Sequence, residues 1–265
     1  MASRSQIVAT LGPASSTRET FLSMAVSGAD VARIHFSSSD HKEMKRQIDI
    51  IRDAERKLGK KIPIIADLPG PHAHHRGDHG HKIGNPLLSH EDMEHVRFCI
   101  KEKVDYFALS FVGSDIDILQ AKKDIKFLGG HQKVIAKIER RAAIFFLDKI
   151  IDASDGIMIA RGDLGTEVPL EDIPYIQDEI VQKTKKAGKP VIVATQMMLS
   201  MTKSAMPTRA EVTDVSNAIL KGADAVMLSE ETARGRHPVE AVAMMERIIA
   251  EAERHLPPKT RIHTF

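Results

Sequence analysis

The chain has 265 residues, 42% of them apolar and 28% charged, with 38 Lys and Arg against 36 Asp and Glu for a formal charge of +2. This near-neutral balance, the lack of Trp and the presence of only two Tyr exclude a basic or stacking platform for nucleic acid and an electrostatic pull toward anionic membranes. No apolar run nears the roughly 20 residues of a membrane helix, MASRSQIVAT lacks a signal-peptide core, and the single cysteine, Cys99, forms no internal disulfide, so a cytoplasmic protein is expected.

Short β-rich apolar runs alternate with longer, charge-studded segments of helical spacing. The first run, Gln6–Leu11, precedes Ser16-x-x-Glu19, which reads as a capping box. The second, Val31–Phe36, precedes His41–Leu58, where Ile48, Ile51 and Ala54 share one side of a helix and Lys, Arg and Glu fill the other. The third, Ile62–Leu68, is followed by a His-rich stretch over 72–85 and then by Ser89-x-x-Asp92. The fourth, Tyr106–Phe111, leads to Ser114-x-x-Asp117; the fifth and sixth are Val134–Glu139 and Gly156–Arg161. The seventh, Pro190–Gln196, leads to the capping box Thr208-x-x-Glu211, and the eighth, Ala225–Ser229, to a helix with Pro238 in its first turn. Gly28, Gly188 and Gly222 fall where helices should stop. An Asp precedes or opens four of the runs (Asp30, Asp105, Asp155 and Asp224), and the segments SGADVARI and KGADAVML echo one another. Near-continuous apolar strands suit a parallel sheet covered on both faces. Eight strand-then-helix units predict a single α/β domain over 1–265, a (β/α)8 TIM barrel. A doubly wound open sheet would want a glycine-rich phosphate turn after an early strand, and no GxGxxG or Walker sequence is present.

In such barrels the catalytic groups stand where strands end. Those ends carry Arg33, His35 and Ser37; Asp67; Lys137 and Glu139; Arg161 and Asp163; Thr195 and Gln196; and Ser229, Glu230 and Glu231. Lys137 and Glu139 lie two apart, so they project to the same side of their strand. One charge at a strand end is more often a rim salt bridge. Two carboxylates, a lysine and an arginine on neighbouring strands instead point to a site, and Glu139 and Asp163 suit Mg2+, which takes one or two carboxylates and completes its shell with water and substrate oxygens.

The segments AKIE (136–139), SDGIMIARGDLG (154–165), KPVIVATQM (189–197), PTRAEVTDVSNAI (207–219) and ADAVMLSEETARGRHPVEAV (223–242) resemble pyruvate kinases, as do IVATLGPAS (7–15) and VARIHFS (31–37). The resemblance implies an active site for a small keto acid, pyruvate or phosphoenolpyruvate. It implies Mg2+ (or Mn2+) on Glu139 and Asp163, and Lys137 stabilising negative charge on the transferring phosphoryl group or the enolate oxygen. It further implies the substrate carboxylate on the backbone N–H groups of Gly162 and Asp163, Arg33 on phosphate, and Thr195 and Ser229 at the enolate carbon. Ser37 and Asp67 match two ligands of the family's K+ site, and the PTRAE segment resembles one bordering a barrel–barrel interface, which implies a homo-oligomer.

The departures from the family are specific. Its mobile lid domain, inserted after the third strand, is expected to be replaced by the short His-rich loop 72–85, and no C-terminal domain is expected. The lid-side arginine and glutamate align with His74 and His72, the lysine of the third strand's motif with Pro69, and the asparagine of the second strand's motif with His35, an exchange that argues against K+ dependence. The histidine-glycine that follows becomes Ser38-Ser39, and the SGE motif reads Ser229-Glu230-Glu231. Groups for Mg2+ and enolate are kept while lid and nucleotide groups change. The leading expectation is therefore a Mg2+-dependent carbon–carbon lyase, aldolase or decarboxylase working through a pyruvate enolate. A minimal pyruvate kinase and a catalytically silent keto-acid-binding or partner protein are the alternatives. His72, His74 and His75 are expected either to form a second metal site, a general base or a phosphate clamp, or to be a solvated remnant.

Overall fold

Residues 3–36, 40–70, 87–257 and 260–265 are described by a computed structural model of the chain. Eight parallel strands close on themselves in chain order: β1 Gln6–Thr10, β2 Ala29–His35, β3 Ile64–Leu68, β4 Tyr106–Leu109, β5 Lys133–Ile138, β6 Gly156–Ala160, β7 Val191–Ala194 and β8 Ala225–Leu228. β8 pairs with β1, Gln6 opposite Ala225, so no edge strand remains. The (β/α)8 barrel expected from the sequence is the fold.

The strands are apolar throughout because each face meets a different core. Val8, Val31, Ile65, Ala108, Ile135, Met158, Ile192 and Met227 fill the barrel interior. Their neighbours one residue along, such as Ile7, Ala32, Ile64 and Val193, pack outward with helix side chains such as Met44, Ile51, Ile180 and Ile249. Alternation is thus present in direction but absent in polarity.

The helices are α1 Arg18–Val26, α2 His41–Leu58, α3 His90–Lys101, α4 Asp115–Phe127, α5 Arg141–Phe145, α6 Leu147–Ala153, α7 Arg161–Glu167, α8 Ile173–Lys186, α9 Arg209–Leu220, α10 Glu230–Ala233 and α11 Pro238–Arg254. The connections after β5, β6 and β8 each break into two helices, which the eight-unit reading did not separate. The capping box at Thr208 forms as expected, and Ser89 forms another with Asp92. The one expected at Ser16 does not: Thr17, not Ser16, is the N-cap of α1, its hydroxyl accepting from Thr20 N at 3.1 Å while Ser16 Oγ donates to Pro13 O. Gly28, Gly188 and Gly222 all have positive φ just past helices. Among the described residues no helix is long and apolar enough to cross a membrane.

The four repeated aspartates share one task at the N-terminal rim. Each accepts a backbone N–H from the strand before its own: Asp30 from Ile7 (3.2 Å), Asp105 from Ile64 (2.9 Å), Asp155 from Val134 (2.8 Å) and Asp224 from Val191 (3.0 Å). Each also pairs with a lysine: Lys60, Lys61, Lys122 and Lys185 respectively. The odd strands β1, β3, β5 and β7 are therefore tied at their starts by the even strands that follow. Phe265 closes the same end, its ring edge-on to Tyr106 at 5.7 Å and its N–H donating to Gln6 Oε1 at 2.7 Å. The opposite rim, where the strands end, is left for chemistry.

Candidate active site

The C-terminal ends of six neighbouring strands, β8 and β1 to β5, are joined by one buried polar chain. Lys137, in β5, directs its ammonium to three acceptors: Asp67 Oδ1 at 3.0 Å, Ser110 Oγ at 2.8 Å and Glu139 Oε1 at 2.9 Å. Asp67, in β3, receives Arg33 Nε on its other oxygen at 2.6 Å. Arg33, in β2, also donates to Thr10 Oγ1 at 3.1 Å, and that hydroxyl donates to Leu228 O in β8. Glu139 Oε2 accepts the backbone N–H of Phe111 at 2.6 Å. The two-residue spacing of Lys137 and Glu139 places them on one side, as the strand period requires.

Burial sets the electrostatics. It opposes ionisation of Asp67, but the charges of Arg33 and Lys137 outweigh it and hold that carboxyl well below the ordinary range. Burial likewise opposes the charge of Lys137, and Asp67 and Glu139 overcome it, keeping the ammonium charged above the usual lysine range. Glu139 goes the other way: burial and the neighbouring charge of Asp163 raise its pKa despite Lys137 and the Phe111 N–H. His35 is pushed down to about 4, first by burial and then by Arg33, so it is neutral at pH 7. Glu139 and Asp163 are thus two carboxylates close enough to repel, one buried and one exposed. That donor set fits a hard divalent cation, which relieves the repulsion and needs no third protein ligand. Among the described residues no group of three or more His, Cys, Asp or Glu is placed to hold a metal ion.

A second group faces the same rim. Thr195 and Gln196, past the end of β7, have φ of +69° and +55°. A β-branched residue in that region carries strain of about 1–3 kcal/mol. Thr195 Oγ1 accepts the Gly162 N–H at 2.8 Å, so this expected carboxylate donor is here engaged by the threonine. Ser229 Oγ is buried with no hydrogen-bond partner among the described residues. Thr195, Ser229, Arg33, His35, Arg46 and Arg234 line one cavity of about 770 Å3 that opens on the β1–β2 side.

The structure therefore brings Arg33, Asp67, Lys137 and Glu139 into contact, sets Asp163 beside Glu139, and places Thr195 against Gly162 and, with Ser229, on the cavity wall. Glu231 belongs to the framework: its carboxylate accepts Met198 N (3.0 Å) and Ser229 N (2.8 Å). Ser37, His72, His74 and His75 lie outside the described residues, and Asp67, the described member of the expected K+ pair, has both oxygens engaged by Arg33 and Lys137. Sequence reasoning missed Thr10, Ser110 and the Phe111 N–H. A polar residue closing β4 was a signal for Ser110; a backbone donor leaves none.

The family model described as pyruvate kinase, barrel domain, matches residues 2–79 and 75–242. A pyruvate kinase of Thermococcus litoralis is 37% identical over 95% of this chain and 70% of its own length. One of Corynebacterium efficiens is 35% identical over 99% and 73%, and one of Thermotoga maritima 41% identical over 78% and 45%. These matches overturn the lyase, aldolase or decarboxylase expectation. That reading took the loss of lid-borne groups as the loss of phosphate chemistry, whereas the barrel itself carries Arg33, Arg46 and Arg234 on one cavity.

Proposed function

Since the chain belongs to the pyruvate kinase family, we propose that it is a phosphotransferase moving the phosphoryl group of phosphoenolpyruvate to ADP, giving pyruvate and ATP. The observation that carries this reading is the buried Lys137–Glu139 pair, fixed from below by Asp67 and Arg33 and faced by Asp163. Glu139 and Asp163 would hold Mg2+ or Mn2+, which would neutralise negative charge on the substrate. The Lys137 ammonium stabilises negative charge on the enolate oxygen as the P–O bond breaks, a role that suits a group kept protonated in a water-poor site. Arg33 faces the phosphoryl group. Thr195 and Ser229 stand at the enolate carbon, where a proton completes pyruvate, and the unpartnered Ser229 hydroxyl supports that placement. The N-terminal backbone of α7, at Gly162 and Asp163, takes the carboxylate once Thr195 Oγ1 gives way to it.

Residues 72–85 stand, in this reading, where relatives carry further sequence. Two features support it: the family match breaks at 75–79, and the Thermococcus alignment runs to 333 positions, longer than this chain. Self-association through the barrel fits the exposure of Leu170, Tyr175 and Met206 around α8 and the start of α9. A cytoplasmic location belongs to the same reading and is supported by the free, buried Cys99 thiol. The test is 31P NMR of the protein with phosphoenolpyruvate, ADP and Mg2+. Conversion of the phosphoenolpyruvate signal into the γ-phosphate of ATP is expected. Release of inorganic phosphate alone would reject the transfer to ADP.

A further inference from the structure

Arg161 opens α7 two residues before Asp163, yet its side chain turns away from the metal carboxylates. Its Nη2 donates to the Thr195 carbonyl at 2.9 Å and lies 2.8 Å from the Met197 sulfur. Its Nη1 donates to Asp214 Oδ1 at 2.8 Å and reaches Gln177 Oε1 at 3.4 Å. One guanidinium therefore ties the end of β7 to α8 and α9 from the first residue of α7. Its planar fork suits several acceptors fixed in different directions.

What it holds is the strained point of the site. Thr195 and Gln196 are consecutive residues with positive φ. The adjacent Gly162 N–H grips the Thr195 hydroxyl, so neighbouring residues of α7 hold both ends of Thr195. A conformation of this kind persists only where its surroundings impose it. We propose that Arg161 is a positioning residue: by tying the Thr195 carbonyl to Asp214, it keeps Thr195 in the left-handed region and sets its hydroxyl relative to Asp163. The effect on turnover rests on the phosphotransferase reading; the effect on backbone conformation does not.

The test combines crystal structures with kinetics of Arg161→Ala, Gln196→Gly and the double variant. Arg161→Ala is expected to move Thr195 out of positive φ and to lower kcat about 100-fold, the cost of a displacement near 1 Å at a reacting site, with KM near wild type. Glycine accepts positive φ without strain. Adding Gln196→Gly should therefore return part of the lost kcat, although on its own it should change little. A role confined to the Arg161–Asp214 ion pair would show no such rescue. If Arg161→Ala does not fold, Arg161→Lys, which keeps the charge but not the fork, carries the same comparison. Thr195 keeping its φ in the variant crystal, or equal rates for single and double variants, overturns the proposal. A wild-type protein without turnover rejects the phosphotransferase reading alone, and the Thr195 conformation in the variant then decides the positioning role.

Discussion

Lys137 has each of its three ammonium directions filled by a different acceptor, and this determines what its removal does. Lys137→Met leaves Asp67 and Glu139 buried without their shared cation, and breaking such a pair costs about 3–5 kcal/mol. We expect urea unfolding to show that loss, and phosphoryl transfer to fall by roughly 100-fold or more, as for removal of a key charge stabiliser. His35 gives a second residue-level prediction with its own sign. Below about pH 6.5 the unfolded chain binds a proton that the folded one refuses until about 4, so stability falls as pH drops through that window. The full effect is about 3 kcal/mol. Stability against pH for His35→Gln should be flatter between pH 6.5 and 4; an unchanged slope would assign the acid sensitivity elsewhere. Lys137 and Glu139 were legible in the sequence because a strand's period of two puts them together whatever the rest of the fold does. Thr10 was not, since a hydroxyl in an apolar run looks the same whether it meets an arginine or its own backbone.

At the level of elements, the repeated aspartates explain how short strands of four to seven residues hold register at the N-terminal rim. They are not equivalent. Asp224 is fully buried, takes the N–H groups of Val191 and His263, and pairs with Lys185. Asp30 is partly exposed and serves Ile7 and Lys60. Asp224→Ala should therefore cost about 3 kcal/mol or more, and Asp30→Ala about 1 kcal/mol, in chemical denaturation. Equal costs would mean that burial does not govern this tie. The echo between SGAD and KGAD made the repeat visible in sequence, because the same backbone N–H needs the same acceptor wherever an even strand starts. The cap of α1 slipped by one residue because Ser16 and Thr17 both suit the role and only local geometry chooses Thr17. The first helix of each pair after β5, β6 and β8, namely α5, α7 and α10, was hidden for a related reason: it is too short to show a helical period.

Across the whole molecule, the closed barrel was legible because eight apolar runs, each followed by a helical segment, allow few other arrangements. The chemistry was legible only in part. In the phosphotransferase reading the metal and enolate groups belong to strand ends, which the sequence marks plainly. A cavity between β1, β2 and α10 gathers Arg33, Arg46 and Arg234, which are separated in the chain, and in the phosphotransferase reading it is the phosphate side. Weighing the altered lid residues without that cavity favoured a lyase, and the family comparison corrects it. The most direct test of the phosphotransferase account is a coupled assay of ATP formation from phosphoenolpyruvate and ADP as a function of Mg2+, for wild type and Glu139→Gln. The account predicts saturable, Mg2+-dependent ATP formation by the wild type, and for Glu139→Gln a far higher Mg2+ requirement with a rate at least about 100-fold lower. Wild-type and variant rates that coincide across the Mg2+ range, or no ATP from either, would contradict it.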